Sequence, residues 1–163
     1  MKKFETFPKF ERYMELIPIR ESLEENKELA DDPLYKENIH IVIDFYKKVG
    51  YNPPWICYYV QEDGLVIGNA AFKGKPLNGT VEIAYGTMEE HRQKGVGTRI
   101  CRQLVELSLK TDPSVRITAR TLPDNSYSTR ILEKNNFVFV GEVNDPDDGE
   151  VWEWEYHRTP EKF

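Results

Sequence analysis

Val81–Gln103 reads VEIAYGTMEEHRQKGVGTRICRQ, and the way this stretch folds decides how the rest of the chain is arranged. It opens as a strand: Val81, Ile83 and Tyr85 alternate with Glu82, Ala84 and Gly86, the period of two of a half-buried extended segment. A short acidic turn, Met88-Glu89-Glu90, interrupts it. Arg92-Gln93-Lys94-Gly95-Val96-Gly97-Thr98 then opens a helix whose apolar positions Ile100, Cys101, Leu104, Val105 and Leu107 recur at helical spacing. A strand is thus joined to a helix N-terminus by a basic loop that carries two glycines. The first turn of a helix leaves amide N–H groups without internal partners, and the aligned peptide dipoles add partial positive charge there. Glycines, lacking β-carbons, let an anion such as a phosphate come within bonding distance of those amides. The stretch predicts an anion cradle.

Two familiar phosphate loops do not fit it. A nucleoside-triphosphate loop needs Gly-x-x-x-x-Gly-Lys followed by Ser or Thr, and no such run occurs. A dinucleotide fingerprint needs a third glycine where this chain has Ile100.

The chain has 163 residues, the size of one domain, so a single domain over 1–163 is expected, with residues 1–12 as a loose N-terminal arm. Acids number 28 against 22 bases, a net charge of −6, which leaves no global field to attract a phosphate backbone and argues against nucleic-acid binding. Locally the balance reverses: Arg92, Lys94, Arg99 and Arg102 lie between His91 and Gln103 with no acid among them. Charges more than about 8 Å away are largely screened at physiological salt, so this cluster governs anion capture. Cys57 and Cys101 sit among apolar neighbours and read as small core residues. His40, His91 and His157 show no metal-ligand spacing, so no metal is expected. No apolar run approaches the length of a membrane span, and Met1-Lys2-Lys3-Phe4-Glu5 mixes charges without an apolar leader core. No membrane association and a cytoplasmic, reducing setting are the expectation.

Outward from the central stretch, Tyr13–Ile19 predicts a first strand, Glu21–Leu29 a short helix and Leu34–Val49 a longer one, stopped by Gly50. Trp55–Gln61 and Leu65–Phe72 predict a hairpin about Asp63-Gly64, both residues that tolerate positive φ. With Val81–Thr87 these make an antiparallel meander. Val115–Thr121 follows the central helix, and a strand–helix–strand crossover makes it the parallel neighbour of Val81–Thr87. Asn125–Lys134 predicts a helix capped by Asp124 or Asn125, and Phe137–Val143 with Glu150–Tyr156 a final pair of strands. Trp152, Trp154 and Tyr156 share one face of the last strand, as core packing would require.

The run Arg92-x-x-Gly95-x-Gly97 between strand and helix resembles the coenzyme-A loop of the GNAT superfamily, the acetyl-CoA-dependent N-acetyltransferases. Glu82-Ile83-Ala84-Tyr85 before it, and Pro123-Asp124-Asn125-Ser126-Tyr127-Ser128 with Glu133-Lys134-Asn135-Asn136-Phe137 after it, look like the branch that includes the ribosomal-protein alanine N-acetyltransferases. The resemblance spans roughly Trp55–Tyr156. It implies an α/β (α+β) fold: a mixed, mostly antiparallel sheet of six to seven strands with a splayed parallel pair, flanked by about four helices. It implies acetyl-CoA as co-substrate and direct acetyl transfer to an amine in a ternary complex, the acceptor being a small molecule or a protein N-terminus, in a monomer or homodimer. The alternative is a non-catalytic acyl-CoA sensor of the same fold.

Residue by residue, the resemblance makes Glu82 the base, although strand alternation alone would also set a solvated Glu there. Asn125 would bond the pantetheine arm while capping its helix, and Ser128 would give a proton to the leaving thiolate. Many members use a tyrosine at the position of Leu132 here, and Tyr127 would face the site only if its helix were rotated. Backbone at Tyr85, Gly86 and Thr87 would meet the thioester and its arm. The loop Arg92, Gln93, Lys94, Gly95, Val96, Gly97 and Thr98 would hold the pyrophosphate, with Arg99 or Arg102 near the 3′-phosphate. Asn136 replaces a family glycine and tolerates the same left-handed conformation. The acids of Glu21–Asp32 and of Asp145, Asp147, Asp148 and Glu150 point to a cationic acceptor, or serve solubility alone.

Overall fold

The computed structural model describes residues 14–158. Among these residues seven strands form one sheet: β1 (Met14–Pro18), β2 (Cys57–Glu62), β3 (Leu65–Phe72), β4 (Thr80–Thr87), β5 (Arg116–Thr121), β6 (Phe137–Asp145) and β7 (Gly149–Tyr156), in the order β1-β2-β3-β4-β5-β7-β6. Every neighbouring pair is antiparallel except β4 and β5, which the crossover through α3 (Val96–Thr111) makes parallel. The other helices are α1 (Lys27–Ala30), α2 (Pro33–Val49) and α4 (Ser126–Lys134). The expected mixed sheet with a parallel pair and four helices is therefore present. The arm of residues 1–12, and Tyr13 at the head of the expected first strand, lie outside the described residues.

One feature of the sheet positions everything else. Thr80–Ile83 pair with Arg116–Ala119, yet β4 runs on to Thr87 and β5 to Thr121, so the two strands part beyond Ile83 and Ala119. The parting is the splay that the family resemblance implied.

Each face of the sheet has its own cover. Gly68 on β3 lies under Ile100 of α3, and Ile83, Phe72, Ile100, Cys101 and Leu104 are fully buried in that layer. Truncating such a side chain to Ala typically costs about 2–5 kcal/mol. Tyr59 and Asn69, in register across β2 and β3, point the other way. That face is covered by α2 over β1 and β2: Tyr59 donates to Asn38 Oδ1 (2.8 Å), and Tyr46 donates to the Ile19 carbonyl (2.7 Å) while accepting from the Cys57 amide (2.9 Å). Both cysteines are free and buried, as core residues.

Two expectations change. The helix expected over Glu21–Leu29 is reduced to Lys27–Ala30, because the buried Asn26 side chain claims the backbone before it. Its Oδ1 accepts from Arg20 N (2.7 Å), and its Nδ2 donates to the carbonyls of Arg20 (3.0 Å) and Ser22 (2.9 Å), a local alternative to helical bonding. Trp55 and Ile56 belong to a turn, not to β2, since their amides bond back to the carbonyls of Asn52 and Pro54. Elsewhere Asp63 and Gly64 both take positive φ in the hairpin, and Asn136 adopts φ 68° where α4 ends. Among the described residues no helix is long and apolar enough to cross a membrane.

Candidate active site

The loop from β4 to α3 is shaped by its backbone. Gln93 and Gly95 take left-handed conformations (φ 64° and 77°), and the first helical bond of α3 runs from Arg99 N to Gly95 O (3.2 Å). The amides of Val96, Gly97 and Thr98 precede that bond, so they are the orphan donors of the helix start. Arg92 folds back and donates from Nε to the Thr87 carbonyl at the end of β4 (3.3 Å).

α4 is brought against this helix start by close packing. A β-carbon at Gly97 would stand 2.6 Å from Ile131 Cδ1, 3.3 Å from the Tyr127 hydroxyl and 3.4 Å from Thr87 Oγ1. Buried Asn135 ties the two helices, donating from Nδ2 to the carbonyls of Thr98 (3.1 Å) and Ile131 (2.9 Å). Asn125 caps α4, its side chain accepting from Ser128 N (3.0 Å). Gly97 is thus needed for helix–helix contact as well as for access to the amides.

Two grooves result. One, of about 560 Å³, is walled by Gln93, Gly95, Gly97 and Thr98 of the loop and by Tyr127, Arg130 and Lys134 of α4. The second, of about 460 Å³, is walled by Tyr85, Gly86, Thr87, Arg92, Asn125 and Ser128. Gln93, Tyr127 and Ile131 line both. Free helix amides, two cations on α4 and an unpaired strand edge make a polar channel that suits an extended anion.

Several sequence expectations are redistributed by this geometry. Tyr85 packs half-buried against the core, and burial, with the Cys101 thiol as hydrogen-bond partner, pushes its hydroxyl pKa far above the usual value. Lys94 and Val96 line a third hollow, of about 380 Å³, behind the loop with His91, Glu62 and Arg99. Arg99, expected with Arg102 as a candidate near the 3′-phosphate, is ion-paired to the buried Glu62 at 2.6 Å. Tyr127 faces the grooves without any rotation of its helix, contrary to expectation, because Gly97 leaves room for it. Arg130, Lys134 and Asn135 were given no role from sequence. The signal for the cations was available, since Ser126, Arg130 and Lys134 recur every four residues along one face of a helix.

Glu82 stands apart from both grooves, on the face of β4 away from α3, where the strands part. Its side chain is 23% exposed and lies 4.0 Å from Arg120 of β5. Burial raises its pKa, Lys73 and Arg120 oppose the rise, and Asp145 and Glu153 add to it. Arg120 is held by Asp145 (3.0 Å) and Glu153 (3.1 Å). Asp145 also accepts from the amides of Asp147 and Asp148, which with Arg120 hold its carboxyl below the usual range. The acid expected to face a cationic acceptor from this loop is committed to an arginine and to its own turn. Among the described residues no cluster of three or more His, Cys, Asp or Glu could hold a metal ion.

Residues 4–138 match the family model described as "Acetyltransferase (GNAT) domain". The chain belongs to this family. A curated relative, the "Uncharacterized N-acetyltransferase YjdG" of Bacillus subtilis (strain 168), is 36% identical over 86 residues, or 52% of this chain and half the relative's own length. Among solved structures, the GNAT fold is shared with an aminoglycoside acetyltransferase, AAC(6')-Ib, in complex with coenzyme A and kanamycin: TM-score 0.63, 23% identity, 91% of this chain and 95% of that one. It is shared equally with RimL, a ribosomal-protein alpha-N-acetyltransferase, in complex with coenzyme A: TM-score 0.64, 18% identity, 87% and 92% covered. A spermidine N-acetyltransferase chimera from Vibrio cholerae aligns at TM-score 0.63 and 14% identity over 88% and 94% of the two chains. At these identities the structural likeness is one of fold.

Proposed function

We propose that this chain is a one-domain, cytoplasmic N-acetyltransferase that moves an acetyl group from acetyl-CoA to a primary amine by direct attack, in the branch of the ribosomal-protein alanine acetyltransferases. The observation that carries the reading is the meeting of three features: the open strand edge at Ala84–Thr87, the orphan amides of α3, and the groove between α3 and α4. A diphosphate suits the amides of Val96, Gly97 and Thr98, and the cations Arg130 and Lys134 suit further phosphate charge. An amide-bearing arm suits the edge of β4 and the Asn125 side chain.

The acceptor must be neutral to attack. A lysine-like amine costs roughly 4.6 kcal/mol to deprotonate at pH 7, an α-amine only about 1–1.4. Glu82 is the base in this reading. At about 3.3 Å per strand residue it lies roughly 10 Å along β4 from Tyr85, so the proton travels through water. Its raised pKa improves it as an acceptor of that proton. The amine nitrogen bonds to the thioester carbon, the carbon–sulfur bond breaks, and the thiolate takes a proton from Ser128 or Tyr127, both of which line the groove.

Incubation with acetyl-CoA and spermidine, kanamycin or an alanine-led hexapeptide, following free thiol, tests this. Amine-dependent thiol release above hydrolysis is expected. Coenzyme A binding without any such release would make the chain an acyl-CoA sensor.

A further inference from the structure

Arg120 lies where the sheet opens. Glu82 is in register with Thr118, so Arg120, two residues further on β5, projects from the same face and stands diagonally across from Glu82 just as the pairing ends. It is directly opposite Glu153 of β7. Its Nε approaches Glu153 Oε1 at 3.1 Å and one terminal nitrogen approaches Asp145 Oδ2 at 3.0 Å, while Glu82 is held off at 4.0 Å. The Asp145 side chain is 9% exposed, and its turn bonds fix the clamp from the β6 end.

The inequality of these distances is informative. An arginine bonded to Glu82 as closely as to the other two acids would occupy the lone pairs a base must offer. Two competing carboxylates keep the guanidinium at arm's length, so its charge acts on Glu82 while the carboxylate oxygens stay open to water. We propose that Arg120 is a positioning residue: clamped by Asp145 and Glu153, it keeps the Glu82 carboxylate in base form and oriented toward the parted strands. This rests on Glu82 being the base, as read above. The groups facing Glu82 are Lys73 at the end of β3, Arg120 on β5, Asp145 on β6 and Glu153 on β7. Three acids against two cations leave the patch one charge negative, which suits an arriving amine.

The test is the pH dependence of kcat/KM with acetyl-CoA and the best acceptor among spermidine, kanamycin and the alanine-led hexapeptide. Removing a neighbouring positive charge makes Glu82 harder to ionise, so in Arg120→Gln the acid limb moves to higher pH. A shift of about one unit lowers the rate about tenfold only at pH values well below the parent midpoint, with less than about a threefold loss on the plateau. Arg120→Lys keeps the charge without the fork that holds both acids, so its limb lies between those of Arg120→Gln and the parent. A limb unmoved in Arg120→Gln, or a loss equal at every pH, overturns the proposal. Should that variant not fold, Glu153→Gln carries the test. It removes a repelling charge and frees the guanidinium toward Glu82, so the limb moves to lower pH; an unmoved limb or a rise overturns the proposal. Glu82→Gln separates the two levels. If it keeps the parent limb, the base reading itself fails; if it loses the limb while Arg120→Gln does not shift it, only the role of Arg120 falls.

Discussion

The two faces of β4 are built for opposite ends. Toward α3 the strand presents Val81, Ile83 and Tyr85, closed over by Ile100, Cys101 and Leu104, and burial lifts the Cys101 thiol pKa to about 12. Away from α3 it presents Glu82, Ala84 and Gly86, and the ionisable groups there remain partly wet, with Glu82 and Arg120 23% and 27% exposed. One strand therefore contributes packing energy on one side and holds ionisable groups within reach of water on the other. Substitutions on the first face should register in stability, and those on the second in rate.

Gly68 makes the hardest break on the packed side. A β-carbon there would collide with the Gly86 carbonyl oxygen and stand 2.9 Å from Ile100 Cδ1. Backbone cannot yield as a side chain does, so Gly68→Val is expected to abolish the cooperative melting transition measured by circular dichroism.

Glu82→Gln probes the open side and should separate rate from stability. On the proposal that Glu82 is the base, its loss lowers kcat/KM by about 10²–10⁴. Stability moves the other way. The folded protein holds the Glu82 pKa above its ordinary value, so as pH rises the unfolded chain ionises first and the folded state loses ground. Glutamine removes that penalty. The variant should melt above the parent at pH 8, with the gap closing below the usual carboxylate range. A lower Tm at pH 8 would mean that the ion pair with Arg120 outweighs burial.

The sheet was largely readable in the sequence because each strand is an alternating run bounded by turn residues, and the crossover rule then placed β4 beside β5. What alternation could not carry was side-chain bonding across distance. Asn26 shortens the first helix through bonds to Arg20 and Ser22, a competition that helix propensity does not weigh. The pairing of Arg99 with Glu62, 37 residues earlier, is likewise invisible to local charge counting. Tyr127 was set aside because a helical wheel does not show that Gly97 hollows out the neighbouring helix. In the loop, the sequence marked which glycines mattered without distinguishing why.

Gly95 and Gly97 stand at the start of α3, just beyond the end of β4. At Gly95, in the left-handed region, no atom lies within 4 Å of a would-be β-carbon, so alanine costs only backbone strain, about 1 kcal/mol. At Gly97 the β-carbon meets Ile131, and overpacking typically costs about 1–3 kcal/mol. Gly97→Ala should therefore lower the Tm, and Ile131→Val, by removing Cδ1, should recover part of that loss in the double variant. Additive effects in the double-mutant cycle would disprove the contact as the cause.

The smallest expected effect belongs to the rim of the α3–α4 groove. Arg130 and Lys134 are exposed, one helical turn apart, and no apolar layer depends on them. Exposed charge contacts are worth about 0.2–1 kcal/mol, so Arg130→Ala and Lys134→Ala should each weaken coenzyme A binding by roughly two- to fivefold in calorimetry, with the Tm of the ligand-free protein unchanged. Because the cost is electrostatic, it should shrink as salt rises and the Debye length falls below about 8 Å. Dephospho-coenzyme A, lacking the 3′-phosphate, divides the origin further. A variant that discriminates less between the two ligands has lost a 3′-phosphate contact, whereas one that weakens both equally acted on the diphosphate.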